Sequence, residues 1–285
     1  MANIAAILTC HNRVSQTLAC LEALFRNQLP EGYSLEVFLV DDGSNDGTSD
    51  AVKQQLPEVH LIEGDGNLYW NGGMRVAFAA AMQRGFDYYL WLNDDTLLYP
   101  YALSTLLVTE EEFENKQGKS AVIVGSTQAE PGSAVTYGGQ VRISHWIPNK
   151  YQLVTPTDIA ITCDTMNGNC VLIPCGIAKE VGNLDVAFVH AMGDTDYGLR
   201  TWNAGFQVVV MPGYAGQCER NSVVNTFADT RLGVQERFKK ILGKKGLPFR
   251  AWYVFTKRHC GILWVIFWLW PYFRLAISSA IRARK

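Results

Sequence analysis

Asp87-Tyr-Tyr-Leu-Trp-Leu-Asn-Asp-Asp95 is the stretch from which the fold of this chain can be read. Tyr88 to Leu92 are aromatic or aliphatic throughout, as in a strand buried on both faces of a parallel sheet. The run then stops at Asn93, Asp94 and Asp95, which set one amide and two carboxylates at the carboxyl end of that strand. Ligands of open α/β sheets bind in the crevice outside the carboxyl ends of strands. Short oxygen ligands suit Mg2+ or Mn2+, and Mg2+ is commonly held by one or two carboxylates together with substrate phosphates. The same three residues also suit the N-cap of a following helix.

The flanks repeat the pattern. Ile4 to Thr9 and Leu35 to Val40 read as buried strands, and Val59 to Ile62 as a third. Helices are expected at Ser15 to Arg26, with Leu18, Leu21, Leu24 and Phe25 on one face, and at Thr48 to Leu56, Asn71 to Gly85 and Tyr101 to Glu114. This alternation predicts an α/β fold with a mainly parallel sheet between helices. Beyond Ala121 to Val124 the pattern loosens. Residues 137–153 predict a β-rich insertion, Cys170 to Pro174 and Phe206 to Met211 strands, 187–204 an acidic loop and a helix, and 217–225 a loop.

The chain has 285 residues, 48% of them hydrophobic, enough for one large domain and an appendage. Charge marks the division. Arg237 to Lys285 holds 12 Lys and Arg and no acid, whereas the preceding 236 residues hold 13 against 27 Asp and Glu, a balance of −14. An α/β domain over residues 1–220 and a basic, aromatic helical region over 221–285 are expected. The acidic body argues against nucleic acid, whose phosphates it would repel. Seven cysteines without paired spacing point to a reducing compartment, and the N-terminus lacks the pattern of a signal peptide. Cys260 to Trp270 is an apolar run of 11 residues, short of the ~20 that span a bilayer. Its Trp residues and flanking Lys and Arg predict a helix lying on an anionic membrane surface. A buried helix of the main domain and a homodimer contact are the other uses of such a run.

Thr9-Cys-His-Asn-Arg13, Val40-Asp-Asp-Gly-Ser-Asn-Asp-Gly-Thr48, Asn71-Gly-Gly73, Leu92-Asn-Asp-Asp-Thr96 and Met192-Gly-Asp-Thr-Asp-Tyr-Gly-Leu-Arg200 occur in an order that resembles family 2 glycosyltransferases. The last motif looks most like the bacterial rhamnosyltransferase-type branch, which builds surface polysaccharides such as O-antigen. The resemblance implies a GT-A fold, a UDP- or dTDP-sugar donor with dTDP-rhamnose favoured, Mg2+ or Mn2+, and inversion at the anomeric carbon. It implies donor contacts from Thr9, His11, Arg13, Asp42, Gly73, Arg75, Asn93 and Asp94, with His11 stacked on the pyrimidine and Asp42 accepting from its N3–H. It puts Asp95 on the metal, makes Asp194 the general base, and leaves Trp70, His190 and Arg220 for the acceptor. That acceptor would be a glycan on polyprenyl diphosphate, at the cytoplasmic face of the bacterial plasma membrane. The chain departs from the family in three places: His11 replaces a frequent Tyr, Asn93 the first Asp of the acidic motif, and Pro212 to Arg220 contains no metal-binding His.

Each assignment has a plainer counterpart. His11 also suits a strand-end cap. Asp194 and Asp196 also suit the first turn of a helix, where acids complement the dipole. Spaced i, i+2, these two would not face the same way, so one catalytic and one structural carboxylate are expected. A nucleotidyltransferase could use the same strand-end acids, but Thr9 to Arg13 contains none of the glycines of its usual loop. A non-catalytic sugar-binding scaffold of the same fold is the other alternative.

Overall fold

In the computed structural model, residues 1–144 and 146–282 are described, the last five by backbone alone; Arg284 and Lys285 of the basic tail lie outside them. The elements run β1 (Ala2–Cys10), α1 (Val14–Phe25), β2 (Tyr33–Asp41), α2 (Thr48–Gln55), β3 (His60–Glu63), α3 (Tyr69–Arg84), β4 (Tyr88–Leu92), β5 (Leu97–Leu98) and α4 (Ala102–Gln117). Then follow β6 (Ala121–Gln128), β7 (Val135–Tyr137), β8 (Gly139–Arg142), β9 (Tyr151–Leu153), β10 (Ile161–Cys163), β11 (Thr165–Met166), β12 (Cys170–Pro174) and α5 (Cys175–Val181). The chain closes with α6 (Gly193–Asn203), β13 (Gln207–Gln217), α7 (Val234–Leu242), α8 (Phe249–His259) and α9 (Trp264–Arg282).

The main sheet has the order β10-β13-β6-β12-β4-β1-β2-β3. Strands β1 to β4 are parallel, with β1 paired to β2 from Ala2↔Tyr33 to Cys10↔Asp41 and to β4 from Ile4↔Tyr88 to Ile7↔Trp91. β12 enters antiparallel between β4 and β6, so the sheet is mixed but mainly parallel, the GT-A arrangement. The chain leaves β1 toward β2 and β3 and returns on its other side as β4. The switch point therefore lies between β1 and β4, and the register brings their carboxyl ends level with that of β2.

Alternation along β1 builds the two core layers. Ile4, Ala6 and Leu8 face Cys20, Leu21 and Leu24 of α1 and Leu103, Leu106 and Leu107 of α4. Ala5 and Ile7 face Met74, Ala77 and Phe78 of α3 and Tyr197 of α6. Trp91, fully buried, meets Phe78 and Tyr197 edge to face. The β-rich insertion forms a second sheet, β11-β8-β9, which packs on α6 through Thr165, whose hydroxyl donates to Thr195 O at 2.8 Å.

The C-terminal region is packed on this body at its near end. Ala251, Trp252 and Phe255 of α8 cluster with Phe188 and with Leu199 of α6. The apolar run starts where α8 has ended: Gly261, with φ 61°, opens a short turn, and the rest of the run leads into α9. Pro271 inside α9 has no N–H for the carbonyl four residues back, and Phe267 O accepts the Trp252 indole N–H at 3.1 Å instead. Among the described residues no helix is long and apolar enough to cross a membrane. The seven cysteines are all free.

Candidate active site

β1 continues into His11 to Arg13, β2 into Asp42 and β4 into Asn93 to Asp95. These strand ends, with the start of α3 and three later segments, line an open cavity of about 370 Å³, within the size range of small-molecule sites. Thr9, His11, Arg13, Asp42, Trp70, Asn93, Asp94, Asp95 and His190 line it, and so do Tyr69, Asn221 and Lys245.

Asp41 and Asp42 divide their work. Asp41 accepts from Ser44 N at 3.0 Å and from the Ser44 and Ser49 hydroxyls, which braces the loop after β2. Asp42 accepts backbone N–H groups from Gly66 at 2.9 Å, Leu68 at 3.2 Å and Tyr69 at 2.8 Å. It thereby ties the turn before α3 to the end of β2, with Tyr69 held at φ 57°. A carboxylate has about four acceptor positions, so one remains, on Oδ2, of a residue that lines the cavity. The His11 Nδ1–H donates to Asp42 O at 2.7 Å, so the imidazole both caps the strand end and lines the cavity. Gly73 is buried under Thr9, whose side chain fills the space a Cβ would need. Its role here is to let α3 approach β1.

In the acidic triplet, Asn93 Oδ1 accepts the Trp70 indole N–H at 2.7 Å and so fixes that ring in the cavity wall. The Arg13 guanidinium donates to Asp95 at 2.7 Å and to Asp94 at 3.3 Å. Burial pushes the Asp94 pKa up to about 6; Arg13 opposes the rise and Asp95 adds to it. The segment after β13 reaches Asp95 through Cys218, whose Sγ lies 3.5 Å from Oδ1, while Glu219 is exposed. Among the described residues no cluster of three His, Cys, Asp or Glu is arranged to hold a metal ion. Asp95, partly exposed in the cavity wall with Asp94 behind it, fits a cation that takes its other ligands from substrate phosphates.

Asp194 and Asp196 serve different neighbours, as their spacing predicts. Asp194, in the first turn of α6, accepts from Thr195 N at 2.8 Å and Gly168 N at 3.1 Å. Burial raises its pKa, and these two N–H bonds limit the rise. It is not in the lining of the cavity, but stands next to it. A Cβ on Gly168 would lie 2.6 Å from the Trp70 ring and 3.4 Å from Asp194 Cβ, so only a glycine fits between cavity wall and carboxylate. Gly193 is equally constrained, because the Asn71 amide fills the space of its side chain. Asn71 in turn donates to Phe188 O at 2.6 Å and Asp185 O at 3.1 Å. Asp196 is fully buried beneath Arg200 at 2.8 Å, Arg258 at 2.6 Å and His259 at 2.8 Å. Burial works against its ionisation, but His259, Arg200 and Arg258 hold its pKa below the usual carboxylate value.

Some residues expected at the site lie elsewhere. Arg75 sits on the outward side of α3, in a shallow groove with Val76, Asn183 and Asp185, away from the cavity. Arg220 is exposed outside the lining, and its neighbour Asn221 takes that place, with its N–H on Tyr137 Oη at 2.8 Å. His190 is in the wall; burial, and then Lys245 and Arg13, lower its pKa to about 4. Sequence reasoning missed Tyr69, Asn221 and Lys245 in the lining and Arg258 and His259 under Asp196. Lys245 and Arg258 had a signal, the basic region that follows the acidic body.

The profile of Glycosyl transferase family 2 matches residues 5–170, more than half of the chain. No curated protein shows significant sequence similarity to it. Among solved structures, a mannosyltransferase, PcManGT from Pyrobaculum calidifontis in complex with GDP-Man and Mn2+, is similar at a TM-score of 0.55 and 15% identity over 87% of this chain. TarS residues 1–349 from S. aureus, in complex with UDP, is similar at 0.54 and 13% over 90%. The chain spans 66% of the mannosyltransferase, 70% of that TarS fragment and 42% of a longer TarS chain. At these identities the likeness is one of fold.

Proposed function

The chain belongs to glycosyl transferase family 2, and on that footing we propose that it is an inverting enzyme using a UDP- or dTDP-sugar. The observation that carries this reading is the convergence of Thr9, His11, Asp42, Asn93, Asp94 and Asp95 on one strand-end cavity, with Asp194 one glycine behind its wall. The neighbours solved with GDP-Man and with UDP support a nucleotide-sugar donor. The free acceptor position of Asp42 fits the N3–H of uracil or thymine. The resemblance of Gly193 to Arg200 to the rhamnosyltransferase-type motif is what favours dTDP-rhamnose.

In the proposed reaction the acceptor hydroxyl gives its proton to Asp194 while its oxygen attacks the anomeric carbon from the face opposite the nucleotide. The bond from that carbon to the β-phosphate oxygen breaks, and its electron pair leaves with the nucleoside diphosphate. Burial suits Asp194 to the task, because a carboxylate with a raised pKa is a better base. A Mg2+ or Mn2+ held by Asp95, with Asp94 behind it, supplies Lewis-acid charge at the phosphates when bound.

Residues 1–220 form the catalytic domain on this reading, and 221–285 hold it to the inner face of a bacterial plasma membrane. The acceptor is a glycan on polyprenyl diphosphate, destined for O-antigen or another surface polysaccharide. Asp194→Asn is expected to lower transfer at least 10³-fold while donor Kd stays within about twofold, since the carboxylate acts only on the acceptor proton. Wild-type turnover in that variant would remove the base assignment.

A further inference from the structure

Apart from a cation on Asp95, a nucleoside diphosphate meets little positive charge from the side chains around the cavity. Its lining contains three carboxylates, Asp42, Asp94 and Asp95, and two cations, Arg13 and Lys245. Arg13 is committed to Asp94 and Asp95. Lys245 makes no ion pair among the described residues; it is exposed at the mouth of the cavity, which it lines.

That turn is built to stay in place. α7 ends at Leu242, and its last turn already carries Lys239 and Lys240 against the helix dipole. Lys245 is therefore not needed to finish the helix. Gly246 N donates to Gly243 O at 2.9 Å and Leu247 N to Ile241 O at 2.7 Å. A Cβ on Gly246 would run into the carbonyls of Lys240 and Ile241, so the turn closes only with glycine there. The Lys244 ammonium lies 4.6 Å from the centre of the Tyr69 ring, a contact that holds the turn to the cavity wall. Tyr69 is the residue whose N–H binds Asp42. The turn is thus fastened to the loop that shapes the cavity, and the next residue along, Lys245, lines that cavity near enough to His190 to lower its pKa.

We infer that Lys245 binds the diphosphate of the sugar donor and stabilises the charge that collects there as the glycosidic bond breaks. The inference rests on the donor-site reading above and adds to it a residue from outside the matched family segment, which ends at residue 170. An unpaired, compact ammonium suits this role, because a phosphate oxygen becomes its first anionic partner and no existing salt bridge is lost.

The test is titration of UDP, dTDP, uridine and thymidine into wild type, Lys245→Gln, Lys245→Arg and Lys244→Ala, followed by kinetics. Lys245→Gln should raise the Kd of the preferred nucleoside diphosphate about tenfold or more, leave its nucleoside unchanged, and lower kcat. Lys245→Arg should keep most of the affinity, and Lys244→Ala should show a smaller loss of the same kind. Equal diphosphate binding in Lys245→Gln and wild type would overturn the inference while leaving the donor site standing. So would an effect confined to the KM of the lipid-linked acceptor, which would place Lys245 on the acceptor's diphosphate. If wild type bound neither diphosphate, the donor-site reading itself would fall and the inference with it.

Discussion

Asp94 shows how the site sets function against stability. Its carboxylate is buried beside Asp95, and even with Arg13 on both acids its pKa rises from 3.8 to about 6. A folded-state pKa above the unfolded one means that the folded chain holds the proton more tightly. Stability from this group is full below about pH 4, falls as pH rises through about 6, and is at its lowest above that. Asp94→Asn should therefore raise stability at pH 7.5 by on the order of 2 kcal/mol, and the gain should vanish near pH 4. Donor binding should weaken in the same variant, because Arg13 and any cation lose a counter-charge. Urea unfolding at the two pH values checks the first part, and equal stability of variant and wild type at pH 7.5 would contradict it. The roles of individual residues were only partly visible in the sequence. Asp42 and Asn93 looked like ligand contacts, and each also holds a piece of backbone or ring in place, at Gly66 to Tyr69 and at Trp70. Such double use depends on which loops meet at a strand end, and residue type alone does not report it.

Among the elements, the strands were legible and the C-terminal helices were not. β1, β2 and β4 are buried runs ended by polar residues, and that contrast marks both their length and their carboxyl ends. Cys260 to Trp270 is apolar on every side, so no periodicity told which face would pack. The structure resolves this through partners. Trp268 and Tyr272 pack toward α8, and Tyr272 Oη donates to Leu247 O, in the turn before that helix, at 2.7 Å. Ile262, Ile266, Leu269, Trp270, Phe273 and Ile277 remain exposed. Ile266, Trp270, Phe273 and Ile277, spaced by three or four residues, make an apolar stripe along α9 with Leu269 and Arg274 beside it, the pattern of a helix lying in a membrane interface. Replacing Ile266, Trp270 and Phe273 by Ser should lower partitioning onto anionic phospholipid vesicles by tenfold or more and leave nucleotide binding unchanged. Undiminished cosedimentation of this variant would refute the proposed anchor. Truncation is a poorer test, since removing α8 strips Arg258 and His259 from buried Asp196, leaves it Arg200 alone, and so disturbs the body as well as the tail.

The whole molecule joins an acidic α/β body to a basic tail at two places, both next to the proposed chemistry. Under α6, Arg258 and His259 neutralise Asp196, two residues from Asp194. At the cavity mouth, the turn before α8 brings Lys244 onto Tyr69 and Lys245 into the lining. The charge asymmetry was plain in the sequence, but its reading was incomplete: the tail's cations look inward to the body as well as outward to a surface. Folding of the tail onto α6 depends on contacts between Phe188, Leu199 and Phe255, far apart in the chain, and no local pattern announces them. If the strand-end cavity is a nucleotide-sugar donor site, calorimetric titration of the purified chain with UDP and with dTDP, each with and without Mn2+ or Mg2+, will show micromolar binding of one of them, tightened by the metal ion and weakened at least tenfold by Asp42→Ala. Failure of both nucleotides to bind under any of these conditions would mean that the cavity is not a donor site.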